Sequence, residues 1–290
     1  MNKKEKLLPN QKDSSIIIIL MLVVMTIASM IAQAFLKKGT NIYLYFGFAI
    51  PQVVYIFGVL IYFNARNIPF NLNIKENAPK NWKLYLLAIL LGSGLFFFAL
   101  PINNFVVKFF TSIGINSGVS VPIPSSLFDY ILCCVILGIM PAIGEELLYR
   151  KALGDGIEKL GTLSAVIIMG LLFSLGHLNI SQTIYQFFMG CIFAVIYLTT
   201  KDIIITMLAH ATNNILVILL SFLTPEAIWS LPAVMILCGI CGLFAWVLSL
   251  TLILRKRFVN HKKQEKINIY LIILILIMVI LWVIVAITSF

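Results

Sequence analysis

Nine stretches of this chain are apolar enough and long enough to sit in a lipid bilayer, and that pattern leaves few folds open. They fall at about 16–35, 43–63, 84–104, 127–146, 163–178, 184–200, 203–222, 229–254 and 269–288. A helix needs ~20 residues to cross a hydrocarbon core of ~30 Å. In lipid the backbone must satisfy its own hydrogen bonds, which a helix does within one segment. The expected fold class is all-α: a polytopic bundle of eight or nine transmembrane helices. The short runs 163–178 and 184–200 decide between those numbers, since either could be tilted, broken or re-entrant. Charged residues make up only 11% of the chain and mean hydropathy is +1.05. A soluble domain carries roughly 25% charged residues, so this chain has too few to coat itself for water.

The net charge of +10 would suggest nucleic acid in a soluble protein, but the cations lie in the wrong places for that. With the N-terminus in the cytoplasm, Lys3, Lys4, Lys6 and Lys12 are inside, as are Arg66, Lys75, Lys80 and Lys83. Arg150, Lys151, Lys159 and Lys201 follow, then Arg255, Lys256, Arg257, Lys262, Lys263 and Lys266, leaving Lys37, Lys38 and Lys108 outside. This is the positive-inside bias of a membrane protein, and it favours an odd number of crossings with the C-terminus outside. The expected surroundings are the lipid of the cell membrane, with no nucleic-acid partner.

Cys133, Cys134, Cys191, Cys238 and Cys241 all fall in apolar segments. Cys238-Gly-Ile-Cys241 has CxxC spacing without a second pair, and reads as small-residue helix packing rather than metal or redox chemistry. Ala32-Gln33-Ala34 resembles a signal-peptidase site. The apolar run before it is longer than a usual signal core, so an uncleaved signal-anchor is expected. Polar connections occur near 64–83, 105–126 and 255–268. The first contains Asn67-Ile-Pro-Phe-Asn71 and Ala78-Pro-Lys-Asn81 and reads as a loop. The Gly/Ser/Pro-rich stretch from Gly114 to Ser126 is an outer lid or a spacer. No internal repeat is visible, which counts against transporters built from paired halves. The expected organisation is N-terminal helices over 1–124, a catalytic core over 125–220 and C-terminal helices over 221–290.

Inside the spans, a few polar side chains stand out. An acid at membrane depth costs roughly 2.5–3.5 kcal/mol on the insertion scale, and Pro141-Ala-Ile-Gly-Glu145-Glu146-Leu-Leu-Tyr-Arg150 carries two. On a helix Glu146 and Arg150 face each other as a buried ion pair. Glu145 points about 100° away at ~3.6 residues per turn and has no partner in its own helix. Acids exposed to water at a cytoplasmic helix end are the plain alternative. Lys151, Asp155, Glu158 and Lys159 recur among apolar residues, so the helix is predicted to continue to a turn at Gly161. Glu145 lies 16 residues before that turn and His177 lies 16 after it. Two antiparallel helices would place both roughly 24 Å from the turn at ~1.5 Å per residue.

His177 closes Phe173-Ser-Leu-Gly-His177, and His210 opens His210-Ala-Thr-Asn-Asn214, each with a partner one turn away on the same face. A histidine and a carboxamide aimed into one cavity suit a developing oxyanion. Interhelical hydrogen bonding is the other use of such groups. His210 lies only a short way beyond Lys201, so by simple counting it is shallower than Glu145 and His177, and helix tilt must close the gap. Ser174 and Ser181 lie near His177 without an acid–base relay, so a serine nucleophile is not expected.

Glu-Glu-x-x-x-Arg, Phe-x-x-x-His and His-x-x-x-Asn, in this order on successive membrane helices, resemble the CAAX protease and bacteriocin-processing (CPBP) family, which includes the type II CAAX prenyl endopeptidases. The resemblance covers roughly residues 125–220. It implies an intramembrane endopeptidase acting on a hydrophobic, lipidated (CAAX-like) or secreted-peptide substrate such as a bacteriocin. Glu145 would be the general base, acting with His177 on a water. His210 and Asn214 would stabilise the oxyanion, and Glu146 with Arg150 and Phe173 would hold the geometry. Metal-independent catalysis is favoured, with no cofactor. Members have also been described as metallopeptidases, and Glu145, His177 and His210 would then hold zinc. A non-catalytic bacteriocin-immunity or regulatory protein is the alternative, and a proton-coupled transporter is a third class that buries Glu and His. The oligomeric state has no signature in the sequence.

Overall fold

The computed structural model describes residues 9–70, 82–115, 121–122, 124–223, 228, 231–255 and 262–288. Among them the secondary structure is helical. The helices are α1 (Gln11–Phe35), α2 (Asn41–Ala65), α3 (Trp82–Ser112), α4 (Leu127–Leu160), α5 (Thr162–Gly176), α6 (Thr183–Thr200), α7 (Ile203–Leu223), α8 (Pro232–Leu254) and α9 (Ile269–Thr288). Each of the nine apolar runs overlaps one of these helices. Eight are long and apolar enough to cross a membrane, and the ninth, α5, has 15 residues. At ~1.5 Å per residue α5 spans only about 22 Å. The protein is a multi-pass integral membrane protein.

Starts and stops follow local chemistry. Asn10, Thr40 and Ser126 cap α1, α2 and α4 by accepting hydrogen bonds from backbone N–H groups of the first turn, and Pro232 opens α8. Gly161 turns α4 into α5 at φ +89°, a conformation natural to glycine. Lys201 ends α6 in the left-handed region at φ +54°. Large apolar side chains face outward throughout, such as Phe35, Phe105 and Phe244, as lipid contact requires.

Without a hydrophobic drive between helices in lipid, close packing needs small residues. α3 and α8 meet at Gly94 and Gly242, where an added Cβ would fall 2.5 Å from the Trp246 nitrogen and 2.2 Å from that of Phe98. The Cys238–Cys241 segment therefore packs through its neighbouring glycine, while Cys241 is exposed and all five thiols are free. α5 and α6 meet at Gly170 and Gly190, where an added Cβ would fall 3.0 Å from the Phe187 carbonyl oxygen and 2.9 Å from the Gly170 Cα. The proposed outer lid and the loop before α3 lie partly outside the described residues, as do Lys3, Lys4, Lys6, Lys75, Lys80, Lys256 and Arg257.

Two features place the site. First, α4 is not a uniform α-helix: π-helical turns at Cys134–Ile139 and Leu147–Gly154 bracket the segment Met140–Glu146 that carries the acids. Pro141 has no N–H to offer the carbonyl of Leu137, four residues back, so this stretch cannot close a regular ladder. Second, one end of the bundle is tied by charge. Asp155 on α4 pairs with Lys151 at 2.9 Å and Lys201 at 3.6 Å and accepts from Tyr197 Oη at 2.7 Å. Lys201 also pairs with Glu158. Lys159 pairs with Glu265 ahead of α9 at 3.6 Å, and Ser14 of α1 donates to the Ala152 carbonyl at 2.6 Å.

Candidate active site

Glu146 and Arg150 form the buried ion pair expected from their spacing. Arg150 Nε lies 3.0 Å from Glu146 Oε2, with both side chains fully buried. Arg150 Nη1 has no hydrogen-bond partner among the described residues. The guanidinium instead lies 4.9 Å from the Phe173 ring centroid and 5.8 Å from that of Phe193, a cation–π arrangement. His210 Nδ1 donates to Glu146 Oε1 at 3.1 Å, since a carboxylate can only accept. A pair predicted within one helix thus also anchors a residue from α7.

The counting problem for His210 resolves at the Asp155 cluster. Lys201 and Tyr197 reach Asp155, so the α6–α7 turn lies level with Asp155 rather than with Gly161. Nine residues separate Asp155 from Glu146, and nine separate Lys201 from His210. The depths match without special tilt.

Glu145 points away from its neighbour into the bundle. Its Oε1 accepts from Gln52 Nε2 of α2 at 3.0 Å. Its Oε2 takes no hydrogen bond from any described residue, and lies 3.7 Å from His177 Nε2 and 3.9 Å from His210 Nε2. His177 Nδ1 donates to the Phe173 carbonyl at 2.8 Å. Both imidazoles therefore have their Nδ1 hydrogens committed, and in the neutral form each turns an Nε2 lone pair toward Glu145. Three acceptors facing one another require a proton, a water or a cation between them. Two carboxylates against one guanidinium leave the cluster one proton short of neutrality. His177 and Glu145 are partly open, at 20% and 12% side-chain exposure, whereas His210 is sealed at 2%.

Phe173 is fully buried and touches the rings of Tyr149, His177 and His210 besides Arg150, so it is the apolar hub of the cluster. Asn214, one turn from His210, does not bond Glu145 or the imidazoles. Its Nδ2 donates to the freed Leu137 carbonyl at 3.3 Å, and its Oδ1 accepts from Asn213 at 3.1 Å. One of its two Nδ2 hydrogens remains for another acceptor. Ser174 and Ser181 are engaged with the Thr183 carbonyl and Asn179. Gln52 escaped the sequence reasoning; the signal was a lone carboxamide in the middle of the run 43–63.

Glu145, His177 and His210 carry the right chemistry for zinc, and both imidazoles have the Nδ1 anchor that metal-bound histidines use. Ligands about 2.0–2.1 Å from a tetrahedral zinc stand about 3.4 Å apart. The gaps here are wider, 3.7 and 3.9 Å, and no metal-holding group of three closes among the described residues. As placed, the three donors stand wider than a tetrahedral zinc would hold them, and no step below passes through an ion.

Fold and site together define a polytopic membrane protein with a carboxylate–imidazole centre enclosed by four helices, α2, α4, α5 and α7. Residues 126–216 match the family described as type II CAAX prenyl endopeptidase Rce1-like. The match supports the resemblance drawn from the three motifs and, in general terms, an intramembrane protease of the CAAX type. It lends no support to bacteriocin immunity. No curated protein and no solved structure matches the chain.

Proposed function

We propose that this protein is an intramembrane endopeptidase of the cell membrane, cleaving a peptide bond in a hydrophobic or lipidated, CAAX-like substrate with water activated by Glu145 and His177. The observation that carries this is the meeting of Glu145 Oε2 with His177 Nε2 and His210 Nε2, from three helices, at 3.7 and 3.9 Å. The N-terminus is cytoplasmic, and the bundle end holding Gly161 and Lys201 faces inward.

A water between Glu145 Oε2 and His177 Nε2 gives a proton to the carboxylate as its oxygen attacks the scissile carbonyl carbon. The carbonyl π electrons move to oxygen. His210 supplies Nε2–H to that oxyanion in its doubly protonated form, which the Glu146 carboxylate at its Nδ1 supports. The remaining Nδ2 hydrogen of Asn214 is the second donor. Collapse breaks the C–N bond, and the proton held by Glu145 passes to the leaving amine. Glu146, Arg150 and Phe173 hold the imidazoles in place.

The test is cleavage by the purified protein, in liposomes, of a quenched peptide ending in a farnesylated cysteine and three apolar residues, beside its unprenylated twin. Metal content is measured on the same sample. Glu145→Ala is expected to lower kcat by at least the roughly 10²–10⁴-fold that a general base supplies, in a protein that still inserts and folds. Full activity in that variant ends the proposal. A binding or immunity protein would instead tolerate Glu145→Gln.

A further inference from the structure

We infer that Gln52, on α2 and outside the segment that matches the family, is a positioning residue for Glu145, so that the working site includes the N-terminal helices. This rests on the proposed hydrolytic function.

Three observations carry it. Gln52 is buried at 6% exposure, and its Nε2 donates to Glu145 Oε1 at 3.0 Å. That bond occupies one carboxylate oxygen and leaves the other, Oε2, as the atom facing both imidazoles. A carboxylate with a free χ3 turns readily, because sp³–sp² torsions are broad. One directional donor on Oε1 stops that rotation.

The backbone is also shaped to admit this contact. Gly144 immediately precedes Glu145, and a Cβ there would lie 2.7 Å from Gln52 Oε1, 3.1 Å from the Gln52 carbonyl oxygen and 3.3 Å from its Cα. A side chain there would displace the Gln52 carboxamide and press on the α2 backbone.

Finally, the carboxamide is a poor choice for packing alone. Gln52 Oε1 is buried with no hydrogen-bond partner among the described residues, and an unmet buried acceptor is destabilising. Methionine has nearly the same shape, fills irregular apolar gaps and would carry no such penalty. The bond made by its other end accounts for a glutamine here. It is not a catalytic residue, because it touches Glu145 on the side away from the reacting atoms.

The test compares wild type, Gln52→Met, Gln52→Leu and Glu145→Ala in liposomes with the same farnesylated quenched peptide, alongside thermal unfolding. Gln52→Met removes one unmet buried acceptor, Gln52 Oε1, and creates another, Glu145 Oε1. It is therefore expected to shift the unfolding temperature little and to keep KM while kcat falls about ten- to a hundredfold, the worth of a hydrogen bond to a charged group. A packing role alone would move the unfolding temperature and leave kcat. Gln52→Leu also removes the donor and leaves an apolar side chain of similar size in its place. It is expected to lose kcat likewise, and it decides the matter if the methionine variant fails to fold. Activity within twofold of wild type in a folded Gln52 variant overturns the inference while Glu145→Ala still vouches for the reaction. An active Glu145→Ala overturns the hydrolytic function and the inference with it.

Discussion

Arg150→Met isolates the framework from the chemistry. The guanidinium is fully buried, 3.0 Å from a fully buried Glu146 carboxylate, and lies over the rings of Phe173 and Phe193. Removing one partner of a buried pair leaves an uncompensated charge, worth about 3–5 kcal/mol. Lost cation–π contact adds up to about 2 kcal/mol, of which methionine sulfur on the same rings returns about 0.3–1.5 kcal/mol. His210 Nδ1, 3.1 Å from Glu146, keeps one donor on the carboxylate and holds the net loss near 3–5 kcal/mol. At about 2–4 °C per kcal/mol for a chain of this order, the unfolding temperature should fall by about 6–20 °C. Tryptophan fluorescence on heating in detergent micelles reads it. The double variant Glu146→Gln/Arg150→Met, which buries no lone charge, should recover at least half of the loss. A single variant within 2 °C of wild type, or a double variant as unstable as the sum of the singles, would refute a buried ion pair.

Gly161→Ala places a side chain at φ +89°, ψ 153°, at a strain of about 1–3 kcal/mol. It should lower both unfolding temperature and kcat, because the hinge sets the level at which His177 meets Glu145. Asn214→Leu should lose about 1–3 kcal/mol of stability, as the Leu137 carbonyl then loses its side-chain donor. It should also lose a further 10²–10³-fold in kcat, about the value of one oxyanion donor. An unfolding scan and steady-state kinetics on the same preparation separate the two roles, and unchanged kcat in a destabilised protein would leave Asn214 a purely structural part.

Much of the site was legible because helices repeat. Glu146–Arg150, Phe173–His177 and His210–Asn214 are each one turn apart, and a helix turns that spacing into a shared face without further information. Gly161 was legible as a hinge for the same local reason, and equal counts on either side of it bring Glu145 level with His177. Pro141 carried a message that local rules could also have read: it strips the Leu137 carbonyl of its partner, and Asn214 supplies one.

What periodicity could not give is anything that depends on which helix lies beside which. Apolar runs determine that this chain dissolves in lipid as helices, since water-free surroundings leave the backbone no other way to meet its hydrogen bonds. They say nothing of order around the bundle, because one lipid-soluble face resembles another. The tertiary structure alone put α2 against the acids, through Gly144 and Gln52. It also set the level of His210, by pairing Lys201 with Asp155 and Glu158 rather than leaving it at the bundle's end. Those choices rest on contacts between residues far apart in the chain, where close backbone approach and charge pairing decide and local pattern has no say.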